Sequence, residues 1–152
     1  MLFSSLYSRL IGFFKHCISS LRPYRSPKQA LGHRGETLVQ THLRQKGLKV
    51  ISRNWRHGHL ELDFVAWDGE VLVFIEVKTR SCLEGNSAYH AVNKKKKAHL
   101  RRACTHYLRA LRSKPKHYRF DVIEVGLMPN NTYTIQHHVH VPLFSKYFFI
   151  PG

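Results

Sequence analysis

Leu60-Glu61-Leu62-Asp63-Phe64-Val65-Ala66-Trp67-Asp68-Gly69-Glu70-Val71-Leu72-Val73-Phe74-Ile75-Glu76-Val77-Lys78 is a pair of alternating apolar runs joined at Asp68-Gly69. Asp-Gly between two such runs is a strong hairpin signal and predicts a two-residue type I′ turn. Pairing Trp67 with Glu70 sets Asp63 opposite Phe74 and Glu61 opposite Glu76. Period-2 alternation then sends Glu61, Asp63, Glu76 and Lys78 to one face. On this register Asp63 and Glu76 are diagonal neighbours, roughly 7 to 8 Å apart at the backbone, within reach of a shared cation. Oxygen ligands of this kind suit a hard metal, and Lys78 lies beside them. The opposite face, Leu60, Leu62, Phe64 and Ala66 with Val71, Val73, Ile75 and Val77, is wholly apolar and should pack on the core. An isolated Glu-x-Lys on a strand is better explained by a solvated face with a cross-strand salt bridge. Here Val65, Leu72 and Phe74 share the charged face, and carboxylates set into a half-buried surface carry a desolvation cost that a decorative charge does not.

The acids stand out because the chain is so basic: 25 Lys and Arg face 9 Asp and Glu, a formal charge of +16 over 152 residues. With a pI near 10.2, the field attracts polyanions, nucleic acid and anionic lipid alike. A hydrophobic content of 43% supports one packed domain and argues against a purely charge-driven binder. Cys17, Cys82 and Cys104 are odd in number and far apart, with no C-x-x-C. They read as small apolar residues of a reducing cytoplasm.

Several segments together resemble the YraN-like family of uncharacterised bacterial proteins with a PD-(D/E)XK nuclease fold. They are Gly32-His33-Arg34-Gly35-Glu36, Asn54-Trp55-Arg56, Glu61-Leu62-Asp63-Phe64-Val65-Ala66, Val73-Phe74-Ile75-Glu76-Val77-Lys78-Thr79-Arg80, the helical Lys96, and Arg119-Phe120-Asp121-Val122-Ile123. The resemblance spans roughly residues 28 to 140. It implies a restriction-endonuclease-like α/β core, a mixed central sheet with helices packed on it. It also implies a bacterial cytoplasmic nuclease acting on phosphodiester bonds, with branched DNA a candidate substrate. Asp63 and Glu76, helped by Glu36, are the implied ligands of Mg²⁺ or Mn²⁺. Lys78 is the residue that orients or deprotonates the attacking water, and Glu61 is a less direct participant. Lys96, Lys97 and Arg80 are expected to contact nucleic acid. Leu60 departs from the family's usual Gly, and Lys97 from its usual Gln. The alternatives are a non-catalytic nucleic-acid-binding protein on the same fold and a membrane-surface adaptor.

Outside the hairpin, Pro27 reads as the first position of a helix capped by Ser26 and ending near Gly47, with Leu31, Leu38, Val39 and Leu43 on one face. Glu36 falls about 20° from Leu43 around that helix, at the flank of the buried stripe. It is placed either to face the hairpin acids or to pair locally with Arg34 or Gln40. Leu100, Ala103, Cys104, Tyr107, Leu108 and Leu111 make the stripe of a second long helix. Lys94 to Lys97 sweep about 300° around its start, so they cannot all meet one ligand. Strands are expected over 119–125 and 132–141. Asp121 reads as structural, a partner for Arg119. His137, His138 and His140 have the composition of a zinc site but not its spacing, since only His138 and His140 share a strand face.

Residues 1–27 form an extension and linker. Phe3, Tyr7, Leu10, Phe14, Cys17 and Leu21 recur at steps of 4, 3, 4, 3 and 4, an amphipathic helix suited to a lipid surface or to docking. Arg9, Lys15 and His16 interrupt it, which excludes a span, and a signal peptide does not fit the charge order. The expected division is 1–27 extension, 28–141 nuclease-like domain and 142–152 tail.

Overall fold

The computed structural model of the protein describes residues 27–81 and 94–144. The expected N-terminal helix, the Ser26 cap, Cys17, Cys82 and the polar loop after Ser81 lie outside the described residues. In chain order the elements are α1 (Pro27–Gln45), β1 (Lys49–His57), β2 (Leu60–Asp68), β3 (Val71–Ser81), α2 (Lys94–Ala110), β4 (His117–Leu127) and β5 (Tyr133–His138). The five strands form one sheet in the order β1-β2-β3-β4-β5. Neighbours are antiparallel except β3 and β4, which run parallel along their whole length. The parallel step requires a crossover, and α2 supplies it. This is an α/β fold with a mixed sheet and a helix on each face, a restriction-endonuclease-like core.

Each helix covers one face. Val39 and Leu43 of α1 pack on Phe64, Ala66, Val73, Ile75, Ile123 and Val125. Leu100, Ala103, Cys104, Tyr107 and Leu108 of α2 pack on Leu62, Val65, Leu72, Phe74, Phe120 and Val122. Leu143, at the start of the segment expected as a tail, is buried in this second cluster, and the Phe144 ring meets Tyr118 edge-on at 5.1 Å.

Two expectations about the hairpin are corrected. Asp68 pairs with Val71 and Trp67 with Leu72, so the linking residues are Gly69 and Glu70 rather than Asp68 and Gly69. Gly69 has φ 57°, and Glu70 is not among the positive-φ residues. Glycine at the first of two linking positions, with only that residue at positive φ, matches a type II′ turn; type I′ needs positive φ at both. The shift moves every partner by two positions and preserves the faces of β3. Leu60 and Leu62, however, do not share a face with Phe64 and Ala66. The first two join the α2 side and the last two the α1 side, so alternation breaks at Asp63. A strand over 49–57 was not expected either. Its sequence KVISRNWRH lacks clean alternation, and β1 is an edge strand whose residues are mostly half-buried.

Candidate active site

The break at Asp63 opens the site. Ladder pairing of β2 with β3 ends at Phe64 and Ile75, although both strands continue. β3 stays paired to β4 out to Ser81, and β2 stays paired to β1 down to Leu60. Beyond Phe64 the β1–β2 arm therefore parts from β3. Asp63 stands across from Glu76 at this fork, one step past the last paired residues, and its Oδ2 accepts the Val77 N–H at 2.7 Å. A side-chain carboxylate thus takes a backbone donor that the ladder leaves unpaired.

Glu76 is only 4% exposed, and a carboxylate so buried requires counter-charge. Two lysines provide it on one oxygen: Oε1 lies 2.5 Å from Lys78 Nζ and 3.1 Å from Lys96 Nζ. Lys78 comes from the same strand face two residues on. Lys96 comes from the first turn of α2, brought over the sheet by the crossover. Lys97 is exposed on that helix and Arg80 is half-buried at the end of β3.

Glu36 reaches the site from α1. Its Oε2 accepts from Asn54 Nδ2 at 3.1 Å and Arg53 NH2 at 3.4 Å, while Arg53 NH1 donates to Gln40 at 3.0 Å. Asn54 adopts φ 50° within the strand, a conformation that asparagine tolerates better than most residues. Sequence reasoning missed Arg53 and Asn54 as the partners of Glu36. The Asn54-Trp55-Arg56 run marked the place, but the contact is tertiary. The close approach of α1 comes from Gly35. A Cβ at that position would lie 1.8 Å from Thr79 Oγ1 and 2.8 Å from Thr79 Cβ on β3.

The electrostatics follow from this crowding. Burial pushes the Asp63 carboxyl up, and the charges of Glu76, Glu36 and Glu61 add to it. The Val77 hydrogen bond opposes them, and the result is a pKa of about 7. Glu61 is further out, paired with Arg56 at 3.0 Å and 44% exposed. Among the described residues, Asp63 Oδ1 and Glu76 Oε2 have no hydrogen-bond partner. Among those residues, too, no three His, Cys, Asp or Glu side chains gather as a complete metal cage. Mg²⁺ does not need one, because it commonly binds through one or two carboxylates, waters and substrate phosphate oxygens. Two open carboxylate oxygens at the fork fit that donor set.

On the α1 side of the sheet lies a separate polar cluster. Asp121 is fully buried; both oxygens accept from Arg119 Nε, at 3.1 and 3.2 Å, and Oδ1 accepts the His140 N–H at 2.9 Å. His137 Nε2 lies 3.0 Å from Oδ2, and Arg119 also reaches Asp68 at 2.8 Å. Burial alone would raise the Asp121 carboxyl, but the bonds from His137, His140 and Arg119 outweigh it and hold it below the usual value. The expected Arg119–Asp121 pair is present. His138 instead approaches Glu124 at 3.4 Å, so these histidines serve different partners.

The mixed sheet with a helix on each face is the core of the PD-(D/E)XK fold class. The protein belongs to the family described as "Uncharacterised protein family UPF0102", whose model matches residues 35–125. It is 38% identical over 115 residues to a UPF0102 protein of Chlorobium limicola, covering 72% of this chain and 89% of that one. A UPF0102 protein of Frankia alni is 41% identical over 110 residues, with 72% and 92% covered. One from Beutenbergia cavernae is 44% identical over 98 residues, with 64% and 83% covered. No helix among the described residues is long and apolar enough to cross a membrane.

Proposed function

We propose that this protein is a divalent-metal-dependent nuclease that hydrolyses phosphodiester bonds at the Asp63–Glu76 fork. The observation that carries the reading is the fork itself, where Asp63 stands across from Glu76 and each carboxylate keeps one oxygen open; the crowding of acids there also raises the Asp63 pKa to about 7. Two carboxylates buried beside one another, each with an open oxygen, are costly in the apo protein, and a function that brings a cation explains them. Asp63 Oδ1 and Glu76 Oε2 would hold Mg²⁺ or Mn²⁺, with Glu36 behind them. When bound, such an ion lowers the pKa of a water and offsets charge on the phosphate.

The protein's own groups do the rest. Lys96 neutralises part of Glu76 and fixes its orientation. Lys78 Nζ sits on the same oxygen at 2.5 Å and is 30% exposed, so its ammonium can donate to a phosphate oxygen or orient the attacking water. Arg53 and Asn54 keep Glu36 turned toward the fork. The charge of +16 recruits the polyanion without reading its sequence. DNA is the favoured substrate and the bacterial cytoplasm the favoured location.

The deciding experiment is cleavage of labelled linear, single-stranded, flapped and four-way DNA with Mg²⁺ or Mn²⁺, beside the Glu76→Gln protein. Metal-dependent cutting lost in Glu76→Gln is the expected result. Binding across the panel with no cutting by the parent chain would replace this reading with that of a non-catalytic nucleic-acid binder.

A further inference from the structure

Beside the fork, α2 carries a second pattern that hydrolysis does not use. Lys95, His99, Arg102, His106 and Arg109 recur at steps of 4, 3, 4 and 3, and the helix contains no Asp or Glu. They line one flank over roughly 21 Å. Lys95, Arg102 and Arg109 are exposed, while His99 and His106 are half-buried.

The turn between β1 and β2 lies against this flank. His57 stacks on His106 with ring centroids 3.8 Å apart and planes at 26°. His59 approaches His99 at 5.8 Å. Trp55 lies nearly parallel to His57, at 15° and 6.3 Å, and Tyr107 backs it edge-on at 5.3 Å. His106 Nδ1 is buried without a hydrogen-bond partner, so stacking rather than hydrogen bonding seats this ring. Stacked imidazoles point their nitrogens in parallel, not toward one centre, which does not suit a chelate. Glu61, the acid nearest the turn in sequence, is taken by Arg56.

Aromatic rings interleaved with cations that meet no acid among the described residues are what unpaired nucleotides use: bases stack on the rings and cations follow the phosphates. A duplex keeps its base faces covered and gains only from the cations. The flank also begins at Lys95, next to Lys96, whose Nζ is on Glu76. We infer that this face is a single-strand track, in which the exposed His57 ring, seated on His106 and flanked by Trp55, stacks on unpaired bases while Lys95, Arg102 and Arg109 hold the phosphates. It delivers a single-stranded end or flap to the fork, and in that last clause it rests on the nuclease reading.

The test is binding without divalent metal, read by fluorescence anisotropy of a labelled oligonucleotide and of a blunt duplex of equal length, each about 15 nucleotides long, near the upper site size of single-strand binders. The full chain is compared with His57→Ala/His106→Ala and with Arg102→Glu. The ring variant is expected to lose about tenfold in single-strand affinity while duplex binding stays within about twofold; Arg102→Glu weakens both. In a Trp67→Phe background Trp55 is the sole tryptophan, and single strand should quench it. Should the double variant melt early, His57→Gln at the exposed end of β1 carries the comparison. Unchanged single-strand binding, or a parallel loss for both ligands, overturns the track. So does displacement of the oligonucleotide by anionic vesicles as effective as by unlabelled oligonucleotide. Ring-dependent binding with no cleavage anywhere in the substrate panel sinks the nuclease reading and leaves the track; cleavage with no ring dependence does the reverse.

Discussion

The Asp63 carboxylate accepts the backbone N–H of Val77 at 2.7 Å, at the point where the β2–β3 ladder stops. One bond therefore ends the pairing and pins an acid beside Glu76. The local fold and the charge conflict of the site have a common origin.

That conflict gives a pH prediction. With a folded pKa of about 7 against an ordinary carboxylate value of 3.8, native Asp63 holds a proton that the unfolded chain releases. Native stability from this group is thus fully present below about pH 4 and falls as pH rises through 7. Asp63→Asn keeps an acceptor for Val77 and removes the charge. Urea denaturation should show the variant more stable at pH 8, by on the order of 1 to 2 kcal/mol, with the gap closing near pH 4. Mn²⁺ should stabilise the parent protein at pH 8 and the variant little. Turnover should be lost. A variant less stable than its parent at pH 8 would remove the argument from charge.

Lys96 and Lys97 are neighbours in sequence with different tasks. Lys96 Nζ is 3.1 Å from Glu76 Oε1, while Lys97 is exposed. Lys96→Ala should lower kcat by roughly tenfold or more, since it leaves a buried carboxylate short of a partner. Lys97→Ala should change affinity by a few-fold at most and leave kcat alone. Binding by the parent protein should also weaken steeply with salt, with a slope of about 0.9 per phosphate contact on B-DNA. Equal kcat for the two variants would mean that the Lys96 contact has no catalytic consequence.

Much of this site was legible from residues 60–78, because alternation and a turn signal assign β3 faces without any tertiary knowledge. Glu76 and Lys78 fall on the expected side, and Val71, Val73, Ile75 and Val77 on the other. The register came out two positions away, since Gly69 takes the first linking position and not the second. The face change between Leu62 and Phe64 was not legible: it depends on β2 parting from β3, an event between strands and not within one. Glu36 could be placed near a buried stripe by helix geometry, but its grip by Arg53 and Asn54 required β1, which has no clear period. Lys96 was singled out by resemblance alone. Its carboxylate partner depends on how α2 crosses the sheet.

Gly35 offers a test of how closely α1 must approach. An added Cβ would meet Thr79 Oγ1 at 1.8 Å and Thr79 Cβ at 2.8 Å, so Gly35→Ala forces α1 off β3. Overpacking of this kind costs about 1 to 3 kcal/mol or more, and Glu36, one residue on, moves with the helix. Thermal melting should show the loss, and cleavage should fall further than stability does. Adding Thr79→Ala should recover only part of it, because the Cβ contact remains. Full recovery would show that the hydroxyl alone sets the spacing.

Asp121 stands apart from the fork. It is fully buried on the α1 side of the sheet, bonded to Arg119, His137 and the His140 N–H, and it touches none of the fork residues. Its carboxyl lies below the ordinary value of 3.8 despite burial. The stability it contributes is therefore present above that value and lost as pH falls through the lowered folded pKa. Asp121→Asn removes the anion from a buried guanidinium and should cost about 3 to 5 kcal/mol. The loss should be large at pH 7 and shrink under strong acid, where the parent protein forfeits the same interaction. Protein that remains folded should retain its response to Mg²⁺ and its kcat, which stabilised conditions such as added sulfate make measurable. If Asp121→Asn instead melts like its parent and loses turnover, the cluster belongs to the chemistry and the two faces of the sheet are coupled.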